Sequence, residues 1–298
     1  MASWGNKLIS SIREKGKNMQ SEMSFFEHLE ALRWHIIRTA LFILVFAILA
    51  FIFFKDVFFK GIILAPTKPD FWTYRMMCHM GNWLHSLMSF INPDDFCVHA
   101  FNFKLINTEM AGQFTLQLNT SIMIGLILGI PYLLFELWRF IRPALHANER
   151  RAASGFVFYA SFLFFLGVMF GYYIVTPLSI RFFATYNVSD TITNMFDIDN
   201  YISSVTWLTL LAGIVFQLPM VAYILASLTI VTAKFMRRTR RYATILILML
   251  AAIITPSPDA LTMLVVAAPL FLLYEFSIMV SAFVERRRAK REKAEELA

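Results

Sequence analysis

The stretch IIRTALFILVFAILAFIFF, residues 36–54, carries one charged side chain, Arg38, and decides the fold class. Crossing about 30 Å of hydrocarbon takes about 20 apolar residues, which this stretch supplies. It begins about 35 residues into the chain, is too long for the core of a signal peptide and lacks a small-residue cleavage site. We therefore expect an uncleaved transmembrane helix.

The composition of the whole chain extends that expectation. Of the 298 residues, 58% are apolar and 16% are charged, and mean hydropathy is +0.60. Soluble domains average about 45–50% apolar and about 25% charged residues. A soluble globule of this size would expose large apolar patches. The composition excludes a typical cytosolic enzyme, a disulfide-rich secreted scaffold and a disordered tail protein, and it indicates a polytopic membrane protein.

Hydropathy predicts an all-α membrane domain of six transmembrane helices. The spans are expected at about 36–54, 114–135, 155–175, 204–228, 242–255 and 260–283. The fifth span is short, so it must stand nearly upright or thin the bilayer locally. Pro256 and Pro258 separate the last two spans, which predicts a tight helical hairpin.

Basic residues set the predicted orientation. With the N-terminus inside, the cytoplasmic segments 1–38, 136–154, 229–242 and 284–298 hold 21 of the 27 Lys and Arg residues. This asymmetry predicts that both termini lie in the cytoplasm. It also explains the net charge of +7 without any nucleic-acid partner.

The two longer outside loops carry further signals. Apolar residues recur at helical spacing from Met76 to Ile91, which predicts a helix lying along the membrane surface. The stretch from Val98 to Ile106 alternates apolar and polar residues and is expected to be extended. The second outside loop, residues 176–203, is polar and acidic.

Cys78 and Cys97 both fall in the first outside loop. An oxidising exterior favours a disulfide between them, although sequence does not supply the geometry. A Cys/His zinc site is the alternative because three histidines lie close by, but no CxxC or HxxxH spacing supports it. The histidines concerned are His79, His85 and His99.

Gln217 and Glu275 are polar side chains within predicted spans. One hypothesis is that they hydrogen-bond across helices and hold the bundle together. Another is that they make the bilayer locally polar and ease the passage of a hydrophilic cargo. A proton- or ion-coupled secondary transporter that uses Glu275 is a third reading. Kinks are expected at the prolines inside spans, which are Pro131, Pro219 and Pro269.

Catalytic signatures are missing from the sequence. We find no HExxH, GxSxG, GxxxxGK[ST] or CxxCH pattern. The sequence therefore predicts no enzyme activity, no catalytic residue, no bound metal and no cofactor.

Two predicted cytoplasmic segments are the most informative. Residues 24–33, SFFEHLEALR, place Ser24 and Glu27 as a capping box at the start of an amphipathic helix. Residues 137–151, LWRFIRPALHANERR, set an aromatic patch beside one isolated carboxylate, Glu149. Taken alone, Glu149 would be read as a local partner of its arginine neighbours.

With these segments in view, residues 24–284 resemble the TatC family of twin-arginine protein translocase subunits. The resemblance rests on motifs in the same topological order: FFEHLEALR at 25–33, LAP at 64–66, LLFELWRFIRPALHANERR at 133–151, GYYIVTPL at 171–178, VFQLP at 215–219, ITPSPD at 254–259 and LLYEF at 272–276. It leaves residues 1–23 as an N-terminal cytoplasmic extension and 285–298 as a basic cytoplasmic tail.

The resemblance implies a curved, glove-shaped bundle in the cell inner membrane. It implies that the cytoplasmic face binds signal peptides with paired arginines. The expected partners are single-span subunits of the TatA and TatB type, within a hetero-complex that contains several copies of this chain and membrane lipid. Folded cargo would cross at the expense of the proton-motive force. A purely structural assembly scaffold is the weaker alternative.

The resemblance also assigns roles to individual residues. Glu149 matches the carboxylate of the recognition loop, and Phe140 matches the aromatic beside it. The second recognition carboxylate of the family falls on Ala31 here, which leaves Glu30 and Glu27 as substitutes. Arg33 completes the signal-peptide-binding set, and Pro66, Pro143 and Asp259 lie in the structural loops. Gln217 stands where many members carry a glutamate, which makes a proton-linked role at this position doubtful.

Overall fold

The computed structural model describes residues 25–53, 59–87, 96–98, 101, 103–141, 155–189, 194–255 and 260–296. Its helices are α1 (Phe25–Phe53), α2 (Trp72–Leu87), α3 (Gly112–Ile141), α4 (Phe156–Phe170), α5 (Thr176–Thr185), α6 (Ile198–Val215), α7 (Leu218–Ser227), α8 (Ala233–Arg238), α9 (Arg240–Ile254) and α10 (Ala260–Glu296). The described elements also include two short strands, β1 (Lys104–Ile106) and β2 (Met195–Asp197), and three short π- or 3-10-helical segments, Phe59–Ile63, Ala65–Thr67 and Gly171–Val175.

Five helical stretches are long and apolar enough to cross a membrane. They are Leu32–Phe53, Gly112–Ile141, Phe156–Thr185, Ile198–Ser227 and Thr262–Lys290. The predicted fifth span corresponds to α9, whose 15 residues measure about 22 Å, less than the hydrocarbon thickness. The structure therefore shows a multi-pass helical membrane protein, and the count of six spans stays a prediction.

The pair α1 and α3 packs at very short range. A Cβ added to Gly125 would lie 2.7 Å from the backbone nitrogen of Ala47 and 2.8 Å from the carbonyl oxygen of Ile43. Gly129, one turn further along α3, also meets Ile43. Small residues spaced in this way let two membrane helices approach until their backbones touch, which increases van der Waals contact.

The remaining helices surround a second core. A π-helical segment, Gly171–Val175, joins α4 to α5 in one continuous rod that packs along α6. The last two helices close the same core, which is built from Val175, Leu208, Phe216, Ile247, Ala251, Ile254, Val266, Ala267 and Leu270. These buried members are apolar, so van der Waals packing holds the helices together in this core.

The prediction of a polar loop over 176–203 is wrong at both ends. Residues 176–185 form α5, because Pro177 is tolerated in a first helical turn and Leu178 and Ile180 are buried. Residues from Ile198 onward belong to α6.

Several elements predicted outside the membrane spans begin or end at other residues than expected. The predicted surface helix exists as α2, beginning at Trp72 instead of Met76 and ending at Leu87. Among the described residues of the stretch predicted to be extended, Lys104–Ile106 forms a strand, and it pairs in parallel with Met195–Asp197. The amphipathic helix before the first span is continuous with that span in α1.

Candidate functional site

A buried carboxylate joins the start of α1 to the end of α3. Glu136 is 2% exposed, and its Oε2 bonds the Nδ1 of His35. Its second oxygen, Oε1, accepts a hydrogen bond of 2.8 Å from the hydroxyl of Tyr132, one turn earlier on α3. Both carboxylate oxygens are therefore paired, as a buried charge requires.

Aromatic rings flank this carboxylate. The ring of Phe140 meets the imidazole of His35 edge to face, with centroids 6.0 Å apart. On the other side, Tyr132 stacks on Phe42 at 4.4 Å. The two helices are thus joined by polar and aromatic contacts over the two helical turns around Glu136, and Phe140 is held at the end of α3.

The predicted residues of α1 lie close to this cluster along the chain. Glu30 and Arg33 are both exposed, and Glu27 is part of α1 although its side chain lies outside the described part. At 100° per residue, position 31 falls about 40° from His35 around the helix, whereas Glu30 falls about 140° away. The α3-facing side of α1 therefore carries position 31, and Glu30 points off it.

Three predicted residues fall outside the described ranges. They are Glu149, Pro143 and Asp259. The structure gives their neighbours along the chain, since α3 ends at Ile141 and α9 ends at Ile254.

Gln217 occupies the two-residue break between α6 and α7. Its Nε2 donates to the carbonyl oxygen of Ala160 on α4 at 3.1 Å, so the side chain does bond across helices. Its Oε1 is buried, with no hydrogen-bond partner among the described residues. Pro219 lies directly after the break and contributes no backbone N–H, which accounts for the interruption.

Glu275 is not an isolated intramembrane carboxylate. It accepts a hydrogen bond of 2.7 Å from Arg240 at the start of α9, and both side chains are partly exposed. Charge neutralisation by an arginine removes the main reason to assign Glu275 an ion-coupling role. The secondary-transporter hypothesis finds no support in this geometry.

The connection between α1 and α3 holds the cysteines and Pro66. Cys78 and Cys97 are joined by a disulfide with their Cα atoms 4.4 Å apart. Pro66 is fully buried and accepts a hydrogen bond of 2.9 Å from Tyr74. Within the described residues, no group of three His, Cys, Asp or Glu side chains is placed to hold a metal ion.

Sequence reasoning missed Glu136, which falls at the start of the predicted cytoplasmic segment 136–154 and was given no role. The signal that could have found it is its setting: a lone carboxylate in the apolar run LLFELW, with Tyr132 four residues before it on the same helix face. Its partner His35 lies 101 residues away and has no local signature.

Comparison with known proteins identifies the family to which this chain is similar. A sequence model of the TatC family, described as Sec-independent protein translocase protein, matches residues 27–269. The Sec-independent protein translocase protein TatC of Blattabacterium sp. subsp. Periplaneta americana (strain BPLAN) is 36% identical over 272 residues, which cover 91% of this chain and all of that protein. The TatC of Carboxydothermus hydrogenoformans is 32% identical, covering 88% of this chain and 94% of the relative.

A solved structure agrees in fold. The crystal structure of the twin-arginine translocase receptor TatC superimposes with a TM-score of 0.62 at 28% identity, covering 87% of this chain and all of that one. The family is one of protein transport and not of catalysis. This chain therefore belongs to the TatC family and is a subunit of the Sec-independent, twin-arginine protein translocase.

Proposed function

We propose that the chain binds twin-arginine signal peptides at the surface where α1 begins and α3 ends. Bound cargo then crosses the membrane folded, with single-span partners of the TatA and TatB type and the proton-motive force. Several copies of this chain assemble in that complex, since one bundle of this size is too small to surround a folded protein.

The bond between His35 and Glu136 carries this proposal. It ties the first turns of α1 to the last turns of α3 and holds Phe140 beside them. The chain reaches Glu149 eight residues after α3 ends at Ile141. The surface thus combines an aromatic ring with nearby carboxylates, which are the groups that pair with guanidinium and pack against its plane.

Glu27 and Glu149 are the carboxylates that we assign to the two arginines. In the family pattern a carboxylate stands at position 31, which is alanine here. Glu27 lies one helical turn before position 31, about 40° around α1, whereas Glu30 is rotated by about 100°. Glu27 therefore replaces the missing carboxylate better than Glu30. Arg33 is rotated by about 160° from position 31 and lies on the opposite side of α1 from this surface.

Arginine specificity must come from short-range geometry. The proposed inside segments hold 21 Lys and Arg residues, so net charge repels a basic peptide. A planar guanidinium can bind a carboxylate through two parallel hydrogen bonds, whereas the lysine ammonium acts as a point charge. We expect binding to distinguish Arg-Arg from Lys-Lys strongly.

The orientation belongs to the same proposal. Both termini lie in the cytoplasm, six helices cross the inner membrane, and α9 provides the short fifth crossing. The Lys and Arg asymmetry supports this arrangement. It puts the start of α1 and the end of α3 on the side where precursor proteins are made.

Site-specific photocrosslinking tests the receptor role. A photoreactive amino acid at position 140 is presented, in membranes with TatA- and TatB-type partners, with signal peptides carrying Arg-Arg or Lys-Lys. We expect crosslinks with Arg-Arg that disappear with Lys-Lys. Equal crosslinking of both peptides, or of neither, would overturn the proposal.

A matched pair of variants locates the carboxylate. Glu149→Gln removes the charge in the recognition loop, and Glu295→Gln removes one from the C-terminal tail on the same proposed side. We expect the first to abolish crosslinking from position 140 and the second to leave it unchanged.

A further inference from the structure

Helix α2 exposes a continuous apolar stripe outside the signal-peptide surface. Its members recur every three or four residues, and Trp72 and Trp83 are 52% and 64% exposed. The complete stripe is Trp72, Met76, Met80, Trp83 and Leu87. At 100° per residue these five positions cover about 80° of the helix circumference.

The other two faces of α2 have different characters. One packs on the protein through Thr73, Tyr74, Met77 and Gly81, which are buried. The other is exposed and polar, with Arg75, His79, Asn82, His85 and Ser86. The polar face lies about 100° to one side of the stripe and the buried face about 115° to the other. A helix with three such faces suits a boundary where protein, water and lipid meet.

The contacts of α2 fix its depth in the membrane. The hydroxyl of Thr73 donates to the backbone carbonyl of Tyr173, which lies 17 residues after Phe156 at the start of α4. At 1.5 Å per residue, Tyr173 is about 26 Å along that rod. This distance is close to the thickness of the hydrocarbon core, so α2 begins at its far edge.

The stripe is continuous with a surface that faces lipid. On α4, Phe158, Phe162 and Met169 form an exposed apolar row on one side of a membrane-spanning helix. Tyr173 continues this row, and the ring of Trp72 meets Tyr173 edge to face at 6.1 Å. Tryptophan and tyrosine are the residues that concentrate at the boundary between headgroups and acyl chains.

We propose that α2 lies flat in this boundary and buries its apolar stripe in the lipid of the outer leaflet. The occupant of the stripe is lipid, because the stripe joins the lipid-facing row of α4 and carries no charged residue. The inference needs only a membrane around the spanning helices. The assignment to the outer leaflet follows the proposed orientation, whereas the burial of the stripe does not depend on signal-peptide binding.

Two consecutive pairs of positions provide the test, because neighbouring residues on α2 face different surroundings. Nitroxide labels are placed in turn at Arg75→Cys, Met76→Cys, Asn82→Cys and Trp83→Cys in proteoliposomes, with the native cysteines in their disulfide. Accessibility to oxygen, which concentrates in lipid, is compared with accessibility to a water-soluble nickel complex. The midpoint of thermal unfolding in detergent checks that each variant is folded, independently of signal-peptide binding.

We expect labels at 76 and 83 to be several-fold more accessible to oxygen than to the nickel complex, and labels at 75 and 82 to show the reverse. Positions 82 and 83 lie about 16 Å from Trp72 along the axis of α2. They therefore test whether the far part of the helix also lies in the membrane boundary. Equal exposure of 82 and 83 to the nickel complex would overturn the proposal. Protection of 83 from both reagents, with broadening between labels, would overturn it in favour of a second copy of the chain.

Discussion

His35 on α1 bonds Glu136 on α3 across 101 positions of sequence, and the carboxylate that joins them is almost completely buried. His35 lies in the third turn of α1, several turns before Ile43 and Ala47, where the helix packs closely on Gly125 of α3. This bond therefore helps to set where the proposed recognition surface lies relative to the bundle.

Replacement of His35 by alanine should destabilise the protein. Among the described residues it leaves Tyr132 as the remaining hydrogen-bond partner of the buried Glu136 carboxylate, and removing one member of a buried pair typically costs about 3–5 kcal/mol. Glu136→Gln should cost less, because the amide can still accept from Tyr132 and no charge remains. The midpoint of thermal unfolding in detergent measures both effects.

The control for this prediction is His79→Ala, which truncates an exposed histidine on α2. If His35→Ala unfolds at the same temperature as that control, the pair does not hold the helices together. Crosslinking from position 140 should fall in His35→Ala even at temperatures where the protein is folded, since the side chain at position 140 loses its neighbour His35.

The close approach of α1 and α3 can be tested at one glycine. Gly125→Ala places a methyl group less than 3 Å from backbone atoms of Ile43 and Ala47, which cannot rotate away. Overpacking of this kind costs about 1–3 kcal/mol. Gly61→Ala is the matched control, because nothing lies within 4 Å of the added carbon. Similar unfolding midpoints for the two variants would show that the helices separate without penalty.

Much of the fold could be predicted because lipid imposes simple rules. Long apolar runs identified the spanning helices, and apolar spacing identified α2, since both signals depend on neighbours along the chain. Helix ends were less predictable. The stretch from Thr176 to Thr185 looked like a polar loop, and only its packing on the bundle explains why it is helical.

The candidate site was predictable only in part. Phe140 and the acidic residues of α1 came from local motifs, but the bond between His35 and Glu136 and the pairing of β1 with β2 are non-local. The hypothesis that Glu275 bonds across helices agrees with the structure, but its partner Arg240 is on another helix and could not be named from local sequence.

Tyr74 offers a test of the outer connections. Its buried hydroxyl donates to the carbonyl oxygens of Pro66 at 2.9 Å and Pro177 at 3.2 Å, and burial raises the pKa of this tyrosine. Tyr74→Phe leaves both buried carbonyls without this donor, at a cost of about 1–2 kcal/mol. Tyr186→Phe, at an exposed ring, should leave the unfolding midpoint unchanged. If Tyr74→Phe leaves the unfolding midpoint unchanged, the two carbonyls find other hydrogen-bond donors in the variant.

The pairing of β1 with β2 should depend on pH. The carboxylate of Asp197 accepts two hydrogen bonds, one of 2.5 Å from the hydroxyl of Thr108 and one of 2.9 Å from the backbone N–H of Asp199. These hydrogen bonds hold the pKa of Asp197 below its usual value. The ionised form is thus favoured by folding. Its contribution is complete above the unfolded pKa of about 3.9 and is lost as pH falls through the lower folded pKa.

Thr108→Val removes the stronger of these donors. We expect the variant to unfold at lower temperature than the parent near neutral pH, and the gap to close as the pH falls below about 4. Thr185→Val, which removes an exposed hydroxyl that bonds only its own helix, should show no such convergence. A gap that stays constant with pH would indicate that Thr108 acts through packing instead of through the charge of Asp197.

Substitution of Glu275 tests whether the chain acts as a translocase subunit or as an ion-coupled transporter. Its side chain is 30% exposed and that of Arg240 is 49% exposed, and pairs this accessible are worth about 0.5 kcal/mol. Glu275→Gln and Arg240→Gln should each shift the unfolding midpoint little, and a double-mutant cycle should give a coupling below about 1 kcal/mol. Export of a twin-arginine cargo should continue in Glu275→Gln, because an amide that cannot titrate still fills the same space. Loss of export in a variant that remains folded and assembled would instead make the carboxylate itself essential, and would return proton coupling to this position.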